Sequence, residues 1–582
     1  MRELANLFAQ REPDPRARRA LTEVLGCSPG IEVSTHGKWV LATEPVGGGA
    51  LAEVRPVAFA EGEALWIGQQ HPEVDWSRAA EVLTGPVDKL SQAPGDFTAF
   101  VVGARDELVV TRSVAGVAPV YVWPDPERPA ASTRLRELVR WSVKQPVLDA
   151  EAIATYSAAR QFPGESSPIS GVRLLPPGTR ARSTNGFRTE RYWDLSAFSP
   201  CRPTRCALAE HAERLRSFLL HELETGLANE GNLLTLSGGV DSSVLAVLAR
   251  RRFGRRISTL TFLPAATCQR TRTQIHVRRV LEGIRDVHEG HTERVLSVDL
   301  RLELARRTPL ALVPIAHPAL LMLSELASAR PIRAYLGGEF ADMLIGSLTH
   351  DDDWLSVTSM ADVFADASQI PYLATRSIDW LKLRVRRRLG LVRPPMPATL
   401  PSYFRRELAE PYRTWYRHRC AQLSHPVGRQ VLSQRLERCA WVVAQNWEVA
   451  SSLGVARRFP FFSREQLELA LSTHPLIHAG PGSKRALRLS LRGEVPDWVL
   501  ARDDKGLAGP RVESAAAWPR ERLGELEQFL APEWARSAPA EVDGMTALRL
   551  WEVLNIVGAL RNEGQYREQV GQRAHRGSRP DP

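Results

Sequence analysis

The stretch that most constrains this chain runs Leu233-Leu234-Thr235-Leu236-Ser237-Gly238-Gly239-Val240-Asp241-Ser242-Ser243 and continues into Val244-Leu245-Ala246-Val247-Leu248-Ala249. Leu233 to Leu236 read as a short buried strand, the small polar residues as a tight turn and the apolar run as a helix. A strand, a glycine turn and a helix start together make a phosphate cradle. The glycines let backbone N–H groups approach oxyanions, and the helix N-terminus adds positive potential. No Gly-Lys-Ser/Thr closes the loop, so it is not a Walker loop. Asp241 is the informative residue, because a carboxylate beside bound phosphates repels them unless a divalent cation bridges the two.

Ser237 to Ser243 resemble the PP-loop of the ATP pyrophosphatases, which split ATP into AMP and pyrophosphate. The resemblance implies ATP and Mg2+ as cofactors. It places Thr235, Leu236, Ser237, Gly238, Gly239, Val240, Asp241, Ser242 and Ser243 around the pyrophosphate, with Thr261, Gly337 and Gly338 completing the expected nucleotide site.

A chain of 582 residues is long enough for two to four domains and a large core. Its formal net charge of +10 is spread over most of the chain and by itself selects no partner. The six cysteines form no CxxC pair and no zinc-finger spacing, as expected of a reducing compartment. Met1-Arg2-Glu3-Leu4-Ala5 lacks the apolar core of a signal peptide, and no apolar run is long enough to span a membrane. A cytoplasmic protein without a membrane partner is the expectation.

Residues up to roughly 125 alternate apolar segments with turns and read as β-rich, most clearly at Gly95–Val102, Glu107–Arg112 and Val117–Val122. Gly171-Val172-Arg173-Leu174-Leu175-Pro176-Pro177-Gly178 follows, then Arg191-Tyr192-Trp193-Asp194. This order of segments resembles the glutamine amidotransferase half of asparagine synthetases. The resemblance implies an α/β/β/α sandwich over residues 1–205, ending in a linker at Ser199–Arg205. In that family the nucleophile is a Cys at position two. Arg2 stands there in this chain and cannot supply a thiol beside a free α-amine. A degenerate domain without glutaminase activity is therefore expected.

A second domain is expected over residues 206–565, and from residue 231 onward its pattern is βαβ, as in a doubly wound parallel sheet with flanking helices. Ala207–Glu230 reads as an amphipathic helix, Ile257–Phe262 as the strand after the phosphate-loop helix and Pro318–Ala329 as a further helix. Arg333–Leu336 reads as a third strand, with Gly337-Gly338-Glu339-Phe340-Ala341-Asp342 at its carboxyl end, where ligands bind in such sheets. This cluster resembles the Ser-Gly-Glu-Gly-Ser-Asp-Glu segment of asparagine synthetases. The resemblance makes Asp342 a second magnesium ligand with Asp241 and puts Glu339 near the acceptor amine. Phe340 and Met343 depart from it, Met343 where the family tends to have Glu. A helix cap for Asp342 and a solvated loop carboxylate for Glu339 are the competing readings.

Residues 350–440 fit the family least. Asp351-Asp352-Asp353 reads as a solvated acidic turn. A basic run from Arg376 to Arg419, with Trp380, Tyr403, Tyr412, Trp415 and Tyr416 interleaved, suits a peptide contact or a solvated helical face, and single-stranded nucleic acid least. Further on, Gly454–Phe461, Ser483–Arg488 and Val495–Gly506 resemble family loops. Lys505 is the expected catalytic cation, against charge on the α-phosphate and departing pyrophosphate. The polar tail from 566 to 582 is expected to be disordered.

The whole resembles the asparagine synthetase and β-lactam synthetase family, and within it most nearly a lasso peptide cyclase. Such enzymes activate an Asp or Glu side chain of a core peptide as acyl-adenylate for attack by the peptide's own N-terminal amine. The partners implied are a precursor peptide, a leader-recognition protein and a leader peptidase. Ammonia-dependent asparagine synthesis, β-lactam synthesis and, more remotely, tRNA modification stay open.

Overall fold

The structure is a computed structural model and describes residues 5–577, with larger breaks at 46–54, 69–81, 346–399 and 503–514 and shorter ones elsewhere. The first part of the chain builds two antiparallel sheets. Its strands are β1 (Ala5–Arg11), β2 (Glu32–His36), β3 (Trp39–Pro45), β4 (Arg55–Phe59), β5 (Gly62–Gly68), β6 (Phe97–Val102), β7 (Leu108–Arg112), β8 (Tyr121–Trp123), β9 (Ala130–Ser132), β10 (Arg173–Leu174), β11 (Thr179–Arg182) and β12 (Arg188–Arg191). One sheet has the order β10-β8-β9-β1-β3-β2 and the other β12-β11-β7-β6-β5-β4.

The pleat explains why both faces of these strands are apolar. Phe100 and Val102 of β6 point inward with Val110 and Ala181 against Ala9, Trp39, Leu41 and Val122 of the facing sheet. Phe97, Ala99 and Val101 alternate outward onto Leu83 and Leu90. On the far side Phe8, Val40 and Ala42 meet Leu21 of the helix Pro15–Gly26.

The rest of the chain is built on a parallel sheet of β13 (Asn232–Thr235), β14 (Ile257–Pro264), β15 (His288–Leu296), β16 (Ala334–Leu336) and β17 (Ala456–Arg458). Its order is β15-β14-β13-β16-β17. The chain runs outward from β13 to β15 and returns to the other side of β13 as β16. The switch point lies between β13 and β16, and a crevice opens there at the carboxyl ends of the strands. All eight residues of β14 are buried, as a central parallel strand requires. One face packs Leu233, Leu260 and Tyr335 on the helix Pro318–Ala329, and the other packs Leu234 and Leu336 on Val244, Leu248 and Val277.

The helix Gly428–Ser452 serves every one of the four largest cores. It gives Val449 and Ala450 to the face of the parallel sheet that carries Leu233 and Tyr335, and Cys439 and Val443 to the face that carries Leu234 and Leu336. Trp447 goes to the sandwich interior. Trp441 and Ala444 join a core shared with Leu135, Ile153, Phe404, Leu554 and Val557. The last two belong to the helix Gly544–Gly577, whose Glu552 pairs with Arg160 and whose Glu563 pairs with Arg140 at 2.7 Å and Arg136 at 3.0 Å.

One expectation needs correction, two strands escaped the sequence reading, and one open alternative is narrowed. The segment from 566 is helical as far as Gly577, because its Gln, Arg and Glu residues are good helix formers continuing an existing helix. The strands β15 and β17 were not anticipated: the first is mostly polar until it ends in Val295 and Leu296, and the second carries two arginines. Within the basic segment, Tyr403 and Tyr412 are buried, while Arg413 and Arg417 pair with Glu410 on a solvated helix face. The stretch holding Asp351–Asp353 and Arg376–Arg393 lies outside the described residues. Among the described residues no helix is long and apolar enough to cross a membrane.

Between sandwich and parallel sheet, buried Asp96 accepts from the Arg464 backbone N–H at 3.0 Å and from the Ser113 hydroxyl at 3.3 Å. Burial and the neighbouring Glu465 push its pKa from 3.8 up to about 7. The folded chain therefore binds more protons than the unfolded one between those values, so stability falls as pH rises through the window. Asp96→Asn should flatten the decline of the melting temperature between pH 4.5 and 7.5. An unchanged pH profile would remove Asp96 as its source.

Candidate functional site

The glycine turn sits in the crevice between β13 and β16. Gly238 adopts φ +70°, and Gly239 precedes the helix Val240–Arg251 without a capping side chain. Two serine hydroxyls preform the loop. The Ser237 N–H donates to Ser242 Oγ at 3.1 Å and the Gly239 N–H to Ser237 Oγ at 3.3 Å. The N–H groups are thus held by oxygens that a phosphate can replace. Arg502, buried beneath the turn, donates to the Gly238 carbonyl and fixes that peptide plane.

The other expected nucleotide residues play supporting parts. Leu236 and Val240 bury their side chains in the core, and the Leu236 N–H donates to the Leu260 carbonyl at 2.8 Å. The Thr261 hydroxyl donates to the Leu236 carbonyl at 2.6 Å, which ties β14 to the base of the turn. The Thr235 hydroxyl donates to Tyr335 Oη at 2.9 Å. Ser243 is buried inside the helix, its N–H bonded to the Gly239 carbonyl at 3.1 Å.

The end of β16 is brought against this helix start. A Cβ on Gly338 would lie 2.9 Å from Asp241 Cβ and 3.2 Å from the Ser242 nitrogen. Only glycine allows that approach, and it draws Asp241 and Asp342 onto one centre. Lys484 Nζ contacts Asp241 Oδ2 and lies 2.9 Å from Asp342 Oδ1. Lys484 is itself in the left-handed region at φ +52° and only 4% exposed, so its ammonium is aimed at this point from the start of the helix Arg485–Ser490. The two carboxylates, a hundred residues apart in sequence, share one cation. Gly338→Ala should push them apart and cut turnover by roughly 10–100-fold with little change in melting temperature. Unchanged turnover would show that the close approach is dispensable.

Glu339 faces a different partner. Its carboxylate lies 2.8 Å from the guanidinium of Arg457 on β17. Arg457 is buried, donates to Asn446 Oδ1 at 2.8 Å and to the Tyr335 carbonyl at 3.0 Å, and lies 4.1 Å over the Tyr335 ring. Glu339 also folds over Gly337, where a Cβ would collide with the carboxylate. Phe340, at φ +69°, packs on Phe459 and Phe462. The Met343 sulfur accepts from the Cys439 thiol at 3.2 Å, where a further carboxylate would otherwise stand.

Asp241, Asp342, Glu339 and the glycine turn are thus assembled at one crevice. Lys505 lies outside the described residues. Lys484, Arg457 and Arg502 belong to the site, yet sequence reasoning took them only as parts of loop motifs. The available signal was two arginines inside the apolar run Val455–Phe462, which only buried ion pairing explains. Among the described residues, no group of three or more His, Cys, Asp or Glu side chains could hold a metal ion. The donor set nevertheless fits magnesium shared with a ligand, since two hard carboxylates converge on a point that a cationic group occupies.

No curated protein matches the chain. Among solved structures, the allosteric regulatory enzyme of purine biosynthesis is similar at a TM-score of 0.22 and 12% identity, over 50% of this chain and 80% of its own. The B. subtilis glutamine phosphoribosylpyrophosphate amidotransferase complexed with ADP and GMP is similar at 0.21 and 10%, over 54% and 82%. These likenesses are too low to bear on fold or function. The asparagine synthase family profile matches residues 233–553, from β13 into the helix Gly544–Gly577. Spanning more than half of the chain and the whole of the crevice, that match makes this protein a member of the asparagine synthase family, whose chemistry is ATP-dependent amide formation.

Proposed function

We propose that this protein activates a carboxylate on ATP as an acyl-adenylate, releases pyrophosphate and passes the acyl group to an amine with departure of AMP. The observation that carries the proposal is the convergence of Asp241 and Asp342 on one cationic point beside the glycine turn. The Ser237–Ser243 backbone would hold the pyrophosphate oxygens once the serine hydroxyls swing aside. Asp241 and Asp342 would hold magnesium, whose chemistry there would be to supply positive charge that offsets the repulsion between carboxylates and phosphates. Lys484 keeps a positive charge at the phosphate end of the crevice. Glu339, braced by Arg457, orients the amine or takes its proton. Lys505 is proposed to stabilise charge on the α-phosphate and the tetrahedral adduct.

The substrate reading is a precursor peptide whose Asp or Glu side chain is joined to its own N-terminal amine. A leader-recognition protein and a leader peptidase would prepare it. With Arg2 where a nucleophilic Cys would be required, the protein is proposed not to hydrolyse glutamine.

The test is pyrophosphate release from ATP and magnesium, with and without a leader-free core peptide, and the product mass. Peptide-dependent release with loss of one water is the expected result. Release only with aspartate and ammonia, giving asparagine, would replace the peptide reading. Ammonia formed from glutamine by the pure protein would overturn the inactive N-terminal half.

A further inference from the structure

A cavity of about 240 Å³ lies between the sandwich and the helix Gly428–Ser452. Leu174, Leu175, Pro176, Pro177 and Trp193 form its sandwich wall, and Leu436, Ala440 and Trp441 its helical wall. Glu165 and Arg191 are its charged lining groups, and Gly164 stands at a place where an added Cβ would meet nothing within 4 Å. The helix behind this wall also reaches the crevice, where its Asn446 accepts from Arg457, the partner of Glu339. Leu436 and Ala440 are one turn apart, and Cys439 between them touches Met343, next to Asp342. Trp193 and Leu436 belong to the same core that receives Phe340 and Met343.

Size and lining restrict what fits. The volume is below the range of pockets that enclose a whole drug-sized molecule, so a single side chain fits it better than a whole nucleotide. Apolar walls of proline, leucine and tryptophan take a hydrocarbon or aromatic side chain. Arg191 can meet a peptide carbonyl, and Glu165, which pairs with Arg173 at 3.2 Å through one oxygen, has a second oxygen to offer an amine, so the lining suits a peptide rather than a bare hydrocarbon. Free ammonia or aspartate would leave those walls uncovered.

We infer that this cavity is a side-chain subsite for the acceptor, and that the acceptor is an amine-bearing peptide with an apolar or aromatic residue beside its reacting end. The inference rests on the amide-forming reading and narrows its substrate class. It also gives the sandwich a part in catalysis that requires no nucleophile of its own, since it supplies one wall of the subsite.

Two arms separate failure of the subsite from failure of the reaction. The first reads binding without turnover, by saturation-transfer NMR and calorimetry with glycyl-phenylalanine and, for comparison, glycyl-glycine. Wild type should bind the phenylalanyl dipeptide at least tenfold more tightly. Ala440→Phe, which fills the cavity, should lose that preference. Leu436→Ala, which enlarges it, should shift preference to glycyl-tryptophan and keeps the test open if the first variant does not fold. The second arm reads turnover with an acceptor that supports AMP release. Ala440→Phe should raise its KM at least tenfold and leave the KM for ATP unchanged. Equal binding of the two dipeptides by wild type, or a phenylalanyl preference kept in a folded Ala440→Phe, would overturn the subsite. Absence of AMP release with any acceptor would instead overturn the reaction.

Discussion

Asp241→Asn should abolish AMP formation, lowering turnover by about 10²–10³-fold or more, while the protein stays folded. Asn keeps the shape of Asp but loses the negative charge that holds a cation strongly between it and Asp342. Lys484 would keep only the more exposed Asp342 as its carboxylate partner. Two effects then add: phosphates lose a magnesium donor, and the ammonium of Lys484 turns toward Asp342 instead of standing between two acids. Turnover is read as pyrophosphate release at saturating ATP, and folding as the melting temperature. Near-normal turnover in the variant would remove Asp241 from the metal site. Asp342→Asn should cost less, because its side chain is 61% exposed and water can replace it.

Arg457→Ala should be the most destabilising single change at the site. The guanidinium is almost wholly enclosed and serves Glu339, Asn446 and two carbonyls at once. Its removal leaves a carboxylate and several buried acceptors without their donor, a loss of about 3–5 kcal/mol. Denaturant unfolding measures this, and a loss below about 1 kcal/mol would contradict the account. Arg457→Lys separates the two roles. It keeps the charge but not the fork that reaches Asn446 and the backbone together. Much of the stability should survive, while acceptor-dependent turnover falls because Glu339 is no longer held in one orientation.

The sequence speaks most clearly where one local signal suffices. The run from Leu233 to Ala249 showed its strand, turn and helix because burial, glycine and apolar periodicity agree along consecutive residues. Ile257 and Pro318 likewise begin elements that start where the pattern says. The elements that escaped notice depend on distant partners. β15 is an edge strand, and its His, Glu and Thr residues are tolerated because one face meets solvent. The arginines of β17 hint at burial by their apolar neighbours, but the partners of Arg457, Glu339 and Asn446, come from distant elements. Lys484 is the sharpest case. Its sequence neighbourhood announces a helix start, but only its left-handed backbone aims the ammonium at two acids from the first turns of other helices. Legibility therefore ended where function depends on tertiary convergence, and the charge-bearing partners of Asp241 and Glu339 lay beyond that point.

The helix Gly428–Ser452 and the helix Gly544–Gly577 fix the order of events during synthesis. The sandwich presents Leu135, Leu138 and Ile153 to a core completed by Trp441 and Ala444, and then by Leu554 and Val557. The last of these leaves the ribosome about 400 residues after Ile153. At about 5–20 residues per second the interval is roughly 20–80 s. Through that time the nascent sandwich carries an apolar face with no cover, and Arg136, Arg140 and Arg160 wait for Glu552 and Glu563. The chain must be shielded until its end is made, so its yield in a cell should depend on chaperone supply more steeply than that of a protein whose domains close one by one.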